Sequence, residues 1–330
     1  MVRWTGELLS RHTANVCLFA AVLSFPAGAQ QALVYPVKSV RFMIGFGPGG
    51  STDLMSRLLA QKLAERLGQP VVPELKTGAT GTIAADAVAK AAPDGHTLIM
   101  ITGAHPVVGV MMRKLPHDPV SDFAMISTVV SYPVVLTVSA ASPYRTIEEL
   151  LAAAKTAPNK VSFSSAGIGS GQHLIGEWIG VVAGLEFLHV PFRSSAVALT
   201  EMLTGRVDMM IDTMTNAYPH IRAGKTRALA LTTRSGSPLL PGVPSISTLL
   251  PGIEFASWAG IVTTGGTPAA IVARLNDEIH AILRQPDIQK QLADLGGAAN
   301  PSTPAEMREL IEREMIRWRN VIETRKIERQ

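Results

Sequence analysis

Gly45-Phe46-Gly47-Pro48-Gly49-Gly50-Ser51-Thr52-Asp53 is the stretch on which the reading of this chain turns. An apolar, β-rich segment, Val40-Arg41-Phe42-Met43-Ile44, precedes it and reads as a strand. Leu54, Leu58, Leu59, Leu63 and Leu67 follow, close to the spacing of one helical face, and Gly68 ends that helix. Gly49 and Gly50 let the backbone turn sharply and approach a ligand. Ser51 or Thr52 suits the N-cap. A helix start exposes unpaired N–H groups and a positive dipole end, so the loop is suited to an anion. It holds no lysine, which sets it apart from the phosphate loop of nucleotide hydrolases. Taken alone, it reads equally well as a glycine-rich turn with no ligand.

The segment before this unit looks like a leader. Arg3, Arg11 and His12 make a positive start, Ala14 to Phe25 is apolar, and Ala27-Gly28-Ala29 fits a small-x-small cleavage rule. Residues 1–29 are therefore expected to be a signal peptide on an exported chain, with Gln30 or Gln31 first in the mature protein. An uncleaved anchor is the competing reading. The single cysteine, Cys17, falls inside the leader, and Ala14-Asn15-Val16 before it is no lipoprotein box. The mature chain would then have neither disulfides nor cysteine-bound metal. No later segment is long and apolar enough for a membrane span. The formal charge is +4, and without Arg3, Arg11 and Glu7 it becomes +3. That mild basicity is spread along the chain, with no basic run to indicate nucleic acid.

About 300 residues remain, room for two domains. Strands are expected at 71–73, 97–101, 134–138, 161–164, 188–190, 207–211, 228–232 and 258–263. Helices are expected at 82–91, 147–155, up to 182 after a second glycine loop, 196–203, from 268, and 304–324. This alternation argues for α/β layers with mostly parallel sheets flanked by helices. Two such blocks, 30–130 and 131–255, read as two domains. The more helical tail, 256–330, is expected to pack back on the first.

The second loop is Ser164-Ser165-Ala166-Gly167-Ile168-Gly169-Ser170-Gly171-Gln172-His173-Leu174. It too follows a strand, lacks lysine and opens a helix, with Ser170 placed to cap it. Its echo of a dinucleotide fingerprint is weak, since Gln172 stands where the third glycine belongs. Two anion-ready helix starts in two α/β blocks say more than one. Facing each other beyond the strand ends, they would hold a carboxylate by backbone N–H and hydroxyl groups with no arginine.

Five segments in order carry a resemblance. They are Phe46 to Asp53; Ala85 to Gly95, with its Ala-Ala-Pro-Asp-Gly close; Leu115-Pro116-His117-Asp118-Pro119-Val120-Ser121-Asp122-Phe123; Gly169-Ser170 to His173-Leu174; and Tyr218-Pro219-His220-Ile221-Arg222-Ala223-Gly224-Lys225. From about Tyr35 onward the chain resembles the Bug, or tripartite tricarboxylate transporter, family of periplasmic substrate-binding receptors. The resemblance implies a two-domain, periplasmic-binding-protein-like clamshell of type II, gripping a small carboxylate between the two loops. It also implies that Asp212 faces the pocket and helps to select the ligand's other end. This chain departs from the family pattern at Gly45, at Gly47, at Ser170, at Phe192-Arg193-Ser194 and through the turn Leu75 to Thr82.

The expected ligand-binding residues from the first block are Phe46, Gly49, Gly50, Ser51, Thr52 and, at the end of its third strand, Thr102. From the second they are Ser165, Ala166, Gly169, Ser170, Gly171 and Asp212, although Asp212 also reads as a carboxylate satisfied locally. His173 is expected to pack or to bond the loop, and Trp258 to line the cleft. The scattered histidines show no metal spacing, no Gly-x-Ser-x-Gly elbow surrounds a serine, and no carboxylate pair stands out. The expectation is a monomeric, periplasmic solute-binding protein without cofactor, metal or catalysis, delivering its ligand by hinge closure to a membrane permease. An exported enzyme acting on an organic acid, and a ligand sensor, are the alternatives.

Overall fold

The computed structural model describes residues 34–48 and 50–330. The expected leader, its cleavage site and Cys17 lie outside the described residues, as does Gly49.

Val40–Ile44 forms β1, buried except at Arg41 because its neighbours cover both faces. It pairs in parallel with β2 (Val71–Leu75) on one side and β3 (Thr97–Thr102) on the other. Between them run α1 (Ser51–Leu67) and α2 (Thr82–Ala89). Gly68 closes α1 in a left-handed conformation, φ 69°, its N–H bonded to the Ala64 carbonyl at 3.0 Å. The buried face of α1 is Met55, Leu59, Leu63 and Leu67, with Asp53 and Ser56. Leu54, expected on that face, is 49% exposed. At about 100° per residue, Leu54 and Leu58 stand roughly 130–170° from the centre of the buried arc.

The remaining elements are α3 (Ala104–Met111), β4 (Phe123–Ser139), α4 (Ile147–Thr156), β5 (Ser162–Ser165), α5 (Gly171–Ala183), β6 (Leu188–Pro191), α6 (Ser195–Leu203), β7 (Met209–Thr213), α7 (Met214–Arg222), β8 (Thr226–Leu231), β9 (Ala256–Thr264), α8 (Ala269–Leu283), α9 (Pro286–Asp294), β10 (Ala298–Ala299) and α10 (Pro304–Thr324). Helices α3, α7 and α9 were not read from the sequence. Thr146 caps α4 by accepting from the Glu149 N–H, as its position predicted. Ile271, Leu275 and Ile279 are the buried stripe of α8, also as predicted.

The strands run β2-β1-β3-β9-β4-β7-β5-β6, with β8 and β10 also on β4. The flanks, β2-β1-β3 and β7-β5-β6, are parallel, as βαβ units require. The centre is antiparallel: β9 enters between β3 and β4, and β4 runs against β7 and β8. β4 is 17 residues long, where only 134–138 was expected. Its first part, Phe123 to Pro133, pairs with β9 across two irregularities, and its last part pairs with β7 and β8.

Where β4 passes from one set of partners to the other, Thr232 ties three segments together. The Thr232 N–H donates to the Val134 carbonyl at 3.0 Å, and the Thr232 carbonyl accepts from the Phe255 N–H at 3.0 Å. Its hydroxyl accepts from the Val134 N–H at 3.1 Å and donates to the Phe255 carbonyl at 2.6 Å. In the tail, α8 packs on α1 and β4, while α10 lies against α3, β4 and α5.

Candidate functional site

The C-terminal ends of β3 and β7 and the N-terminal ends of α1 and α5 open onto one cavity of about 310 Å³. Eight of the twelve expected residues line it: Phe46, Ser51, Thr52, Thr102, Ala166, Ser170, Gly171 and Asp212. The two loops, more than a hundred residues apart in sequence, thus share a wall.

Four expected residues are not among the lining. Gly49 lies outside the described residues. Gly50 is the N-cap of α1, at φ −75° and ψ 164°, and does not line the cavity. Ser51 and Thr52 were expected to cap; they occupy the first turn instead, where both face the cavity. Ser165 is buried behind the second loop and holds its shape: the hydroxyl accepts from the Gly167 N–H and donates to the Gly167 carbonyl, both at 3.1 Å. Gly169 shapes the loop from behind. Its φ is 75°, and a Cβ there would stand 2.8 Å from Cε of Met111.

Ser170 caps α5 by accepting from the His173 N–H at 3.2 Å. The first N–H groups of that helix, at Gly171 and Gln172, start from the cavity wall and have no partner within the helix. Gln172 was not anticipated. Its Oε1 accepts from the Ala166 N–H at 2.7 Å and its Nε2 donates to Ser195 Oγ at 3.1 Å, pinning the loop to α6. Thr102 Oγ1 accepts from the Ala104 N–H at 3.3 Å, starting α3 beside the cavity.

Among the described residues no lysine or arginine lines the cavity, and Asp212 is its one carboxylate. Burial pushes the Asp212 carboxyl up from its ordinary range. Bonds from the Thr213 N–H at 2.7 Å and Asn216 Nδ2 at 3.1 Å oppose that shift. Tyr132, from β4, lines the same wall, its phenol pushed up to about 12 by burial. Among the described residues no group of three or more histidine, cysteine or acidic side chains could hold a metal ion.

Trp258, expected in the cleft, fills the core. It is 2% exposed, and its Nε1–H donates to Glu314 Oε1 at 3.1 Å. The tryptophan in the cavity wall is Trp318 of α10, edge-on to Phe255 at 5.6 Å between ring centres. Phe255, Trp318, Tyr132 and Val134 come from three segments distant in sequence, and nothing local marks them as lining residues.

Two departures from the family pattern meet here. A Cβ on Gly45 would lie 2.8 Å from Cα of Gly81, so a side chain at 45 and this turn exclude each other. Gly81 packs under the Phe46 ring, and Ala79 and Thr80 are both left-handed, at φ 46° and 56°.

The family described as tripartite tricarboxylate transporter family receptor matches residues 55–327. A protein of Pseudomonas sp. strain P51, encoded between tcbD and tcbE, is 37% identical over 296 residues, 89% of this chain and 88% of its own. A solved R. palustris protein with adipate is 33% identical at a TM-score of 0.77, covering 89% of this chain and 99% of its own. MatC of Rhodopseudomonas palustris, with bound malate, is 32% identical at a TM-score of 0.74, covering 87% of this chain and 100% of its own. The periplasmic binding protein BugD shares the fold, at 30% identity and a TM-score of 0.74 over 90% of this chain and 100% of its own, and the chain belongs to the tripartite tricarboxylate transporter receptor family.

Proposed function

We infer that this receptor captures a small carboxylate in the 310 Å³ cavity and delivers it, from the periplasm, to a membrane permease of the tripartite type. The observation that carries the reading is the meeting of two helix N-termini, with Ser51, Thr52 and Ser170, on a cavity that has no lysine or arginine among the described residues. Helix starts bind anions through N–H groups and dipole ends. The volume is at the small end of ligand pockets and suits a small acid better than a nucleotide. The adipate and malate of the two related structures support that class.

Asp212 sets the other end. A buried carboxyl with a raised pKa disfavours a second anionic group beside it and favours a hydrogen-bond donor: a hydroxyl, an amine or a protonated acid. Two lobes, 30–130 with 256–330 and 131–255, would close about the ligand. Only the closed form joins both loops to it, so binding favours closure.

Thermal-shift screening of a carboxylate panel, followed by calorimetry on the hits, tests the reading. Native protein should be stabilised by acids whose far end donates a hydrogen bond. Replacing both Ser51 and Ser170 with phenylalanine should abolish binding while the fold persists, at a cost of about 1 kcal/mol for the lost cap. Undiminished affinity in that variant would refute the two-loop grip.

A further inference from the structure

Two histidines lie under the second loop, outside the cavity lining. His173, in the first turn of α5, and His189, on β6, stack face to face with ring centres 3.8 Å apart and planes at 14°. Phe163 of β5 continues the stack beyond His189, at 4.8 Å. Each ring holds one end of the loop. The Gly169 N–H donates to Nδ1 of His173 at 3.1 Å. Nε2 of His189 is 2.7 Å from Ser165 Oγ, the hydroxyl that also bonds both polar groups of Gly167.

The first bond fixes a proton. An N–H pointing at Nδ1 requires that nitrogen to be an acceptor, so the proton of neutral His173 sits on Nε2. Ser165 has one proton to give, to the Gly167 carbonyl at 3.1 Å or to Nε2 of His189 at 2.7 Å, and His189 takes the tautomer that matches. Protonating His173 would set an N–H against the Gly169 N–H. Charging both rings would place two cations within stacking distance. Burial pushes His173 down to about 4, and burial with the neighbouring ring pushes His189 down to about 3. Two ionisable groups pack against the pair. Glu177, on α5, has Oε1 3.8 Å from Nε2 of His173, and Arg325, past α10, pairs with Glu177 at 3.2 Å and offsets its charge.

We propose that His173 and His189 are positioning residues that hold the 165–170 loop in its binding shape only while both rings are neutral, making ligand capture depend on pH. This rests on the reading that the loop grips a carboxylate. Lowered pKa values mean that the arrangement is fully present above the ordinary histidine value, about 6.5, and is lost as pH falls toward 4. Below 6.5 the displaced loop gains up to roughly tenfold in population per ring for each pH unit.

An NMR titration of the full chain from pH 8 to 4 tests the pair without ligand. At pH 7.5 both rings should be neutral, with the His173 proton on Nε2 and the Gly169 amide protected from exchange. Below pH 5 the His173 ring should begin to titrate, and that protection should vanish with it. Rings titrating near 6.5, or a Gly169 amide indifferent to their charge, would overturn the proposal. Calorimetry with malate and adipate at pH 7.5 and 5 gives the second arm. His173→Asn keeps an acceptor near the Nδ1 position without titrating, so it should hold affinity within about threefold at pH 7.5. His173→Leu should lose about tenfold, the value of one hydrogen bond. The double variant His173→Asn with His189→Gln should lose the pH dependence. An asparagine variant no better than leucine, or a double variant as pH-dependent as native protein, would overturn the proposal. If native protein takes neither probe nor any acid of the thermal-shift panel, the carboxylate reading fails while the NMR arm still decides the pair.

Discussion

Glu314 shows how much one buried residue can change with pH. It stands on α10, 2% exposed, bonded by the Trp258 indole and drawn toward Arg317. Burial nevertheless pushes its carboxyl up to about 7. A raised acid is fully compatible with the fold below its ordinary value of 4.5 and becomes costly as pH rises through 7. The loss amounts to roughly 3 kcal/mol at most. Glu314→Gln should therefore match native protein in melting temperature at pH 4.5, exceed it increasingly up to about pH 7 and hold a constant margin above that. A difference that stays constant across that window would contradict this account. Residues at this scale were unequally legible in the sequence. Ser170 and Asp212 announce themselves by sitting at a strand end or a helix start. Trp258 and Trp318 do not: an indole filling a core and an indole walling a cavity give the same local pattern, and their exchange of roles depends on the path of α10.

Among the elements, the turn from Leu75 to Thr82 is the least ideal. Ala79 and Thr80 adopt left-handed angles that cost an L-residue about 1–2 kcal/mol each. Thr80→Gly relieves one such strain but adds freedom to the unfolded chain, so a net gain of up to about 1 kcal/mol is expected in urea unfolding. A destabilised variant would mean that the Thr80 side chain is needed where it stands. Most elements were legible because their signals are short-ranged: the apolar run of β1, the glycine closing α1, the threonine opening α4. The central strand was not. Ser127, Thr128, Ser131 and Pro133 interrupt the apolar pattern of β4, and burial on both faces removes the alternation that marks a half-exposed strand. Helix α7 was hidden by Pro219, which lies inside it.

For the whole molecule, the crossing at Thr232 is the point where the two sets of strands are joined. Its hydroxyl serves Val134 and Phe255, both lining residues of the cavity. Thr232→Val keeps the shape and leaves a buried N–H and a buried carbonyl without that partner, at a cost of about 2–3 kcal/mol. Thr232→Ser should recover most of it, and urea midpoints of the two variants make the comparison. Equal loss in both would point to the methyl group instead. The pairing of the two glycine loops was legible in the sequence because each carries its own helix-start signature. The boundary placed at residue 130 falls inside β4, because no local pattern reveals that one strand serves both sides. The position of β9 between β3 and β4 carries a last consequence, one of timing. About 160 residues separate the end of β3 from the end of β9, a synthesis interval of roughly 8–30 s. Throughout it β3 and the first half of β4 lack the strand that joins them. The sheet therefore cannot be completed until β9 has been made, and folding waits for the arrival of the chain's last quarter.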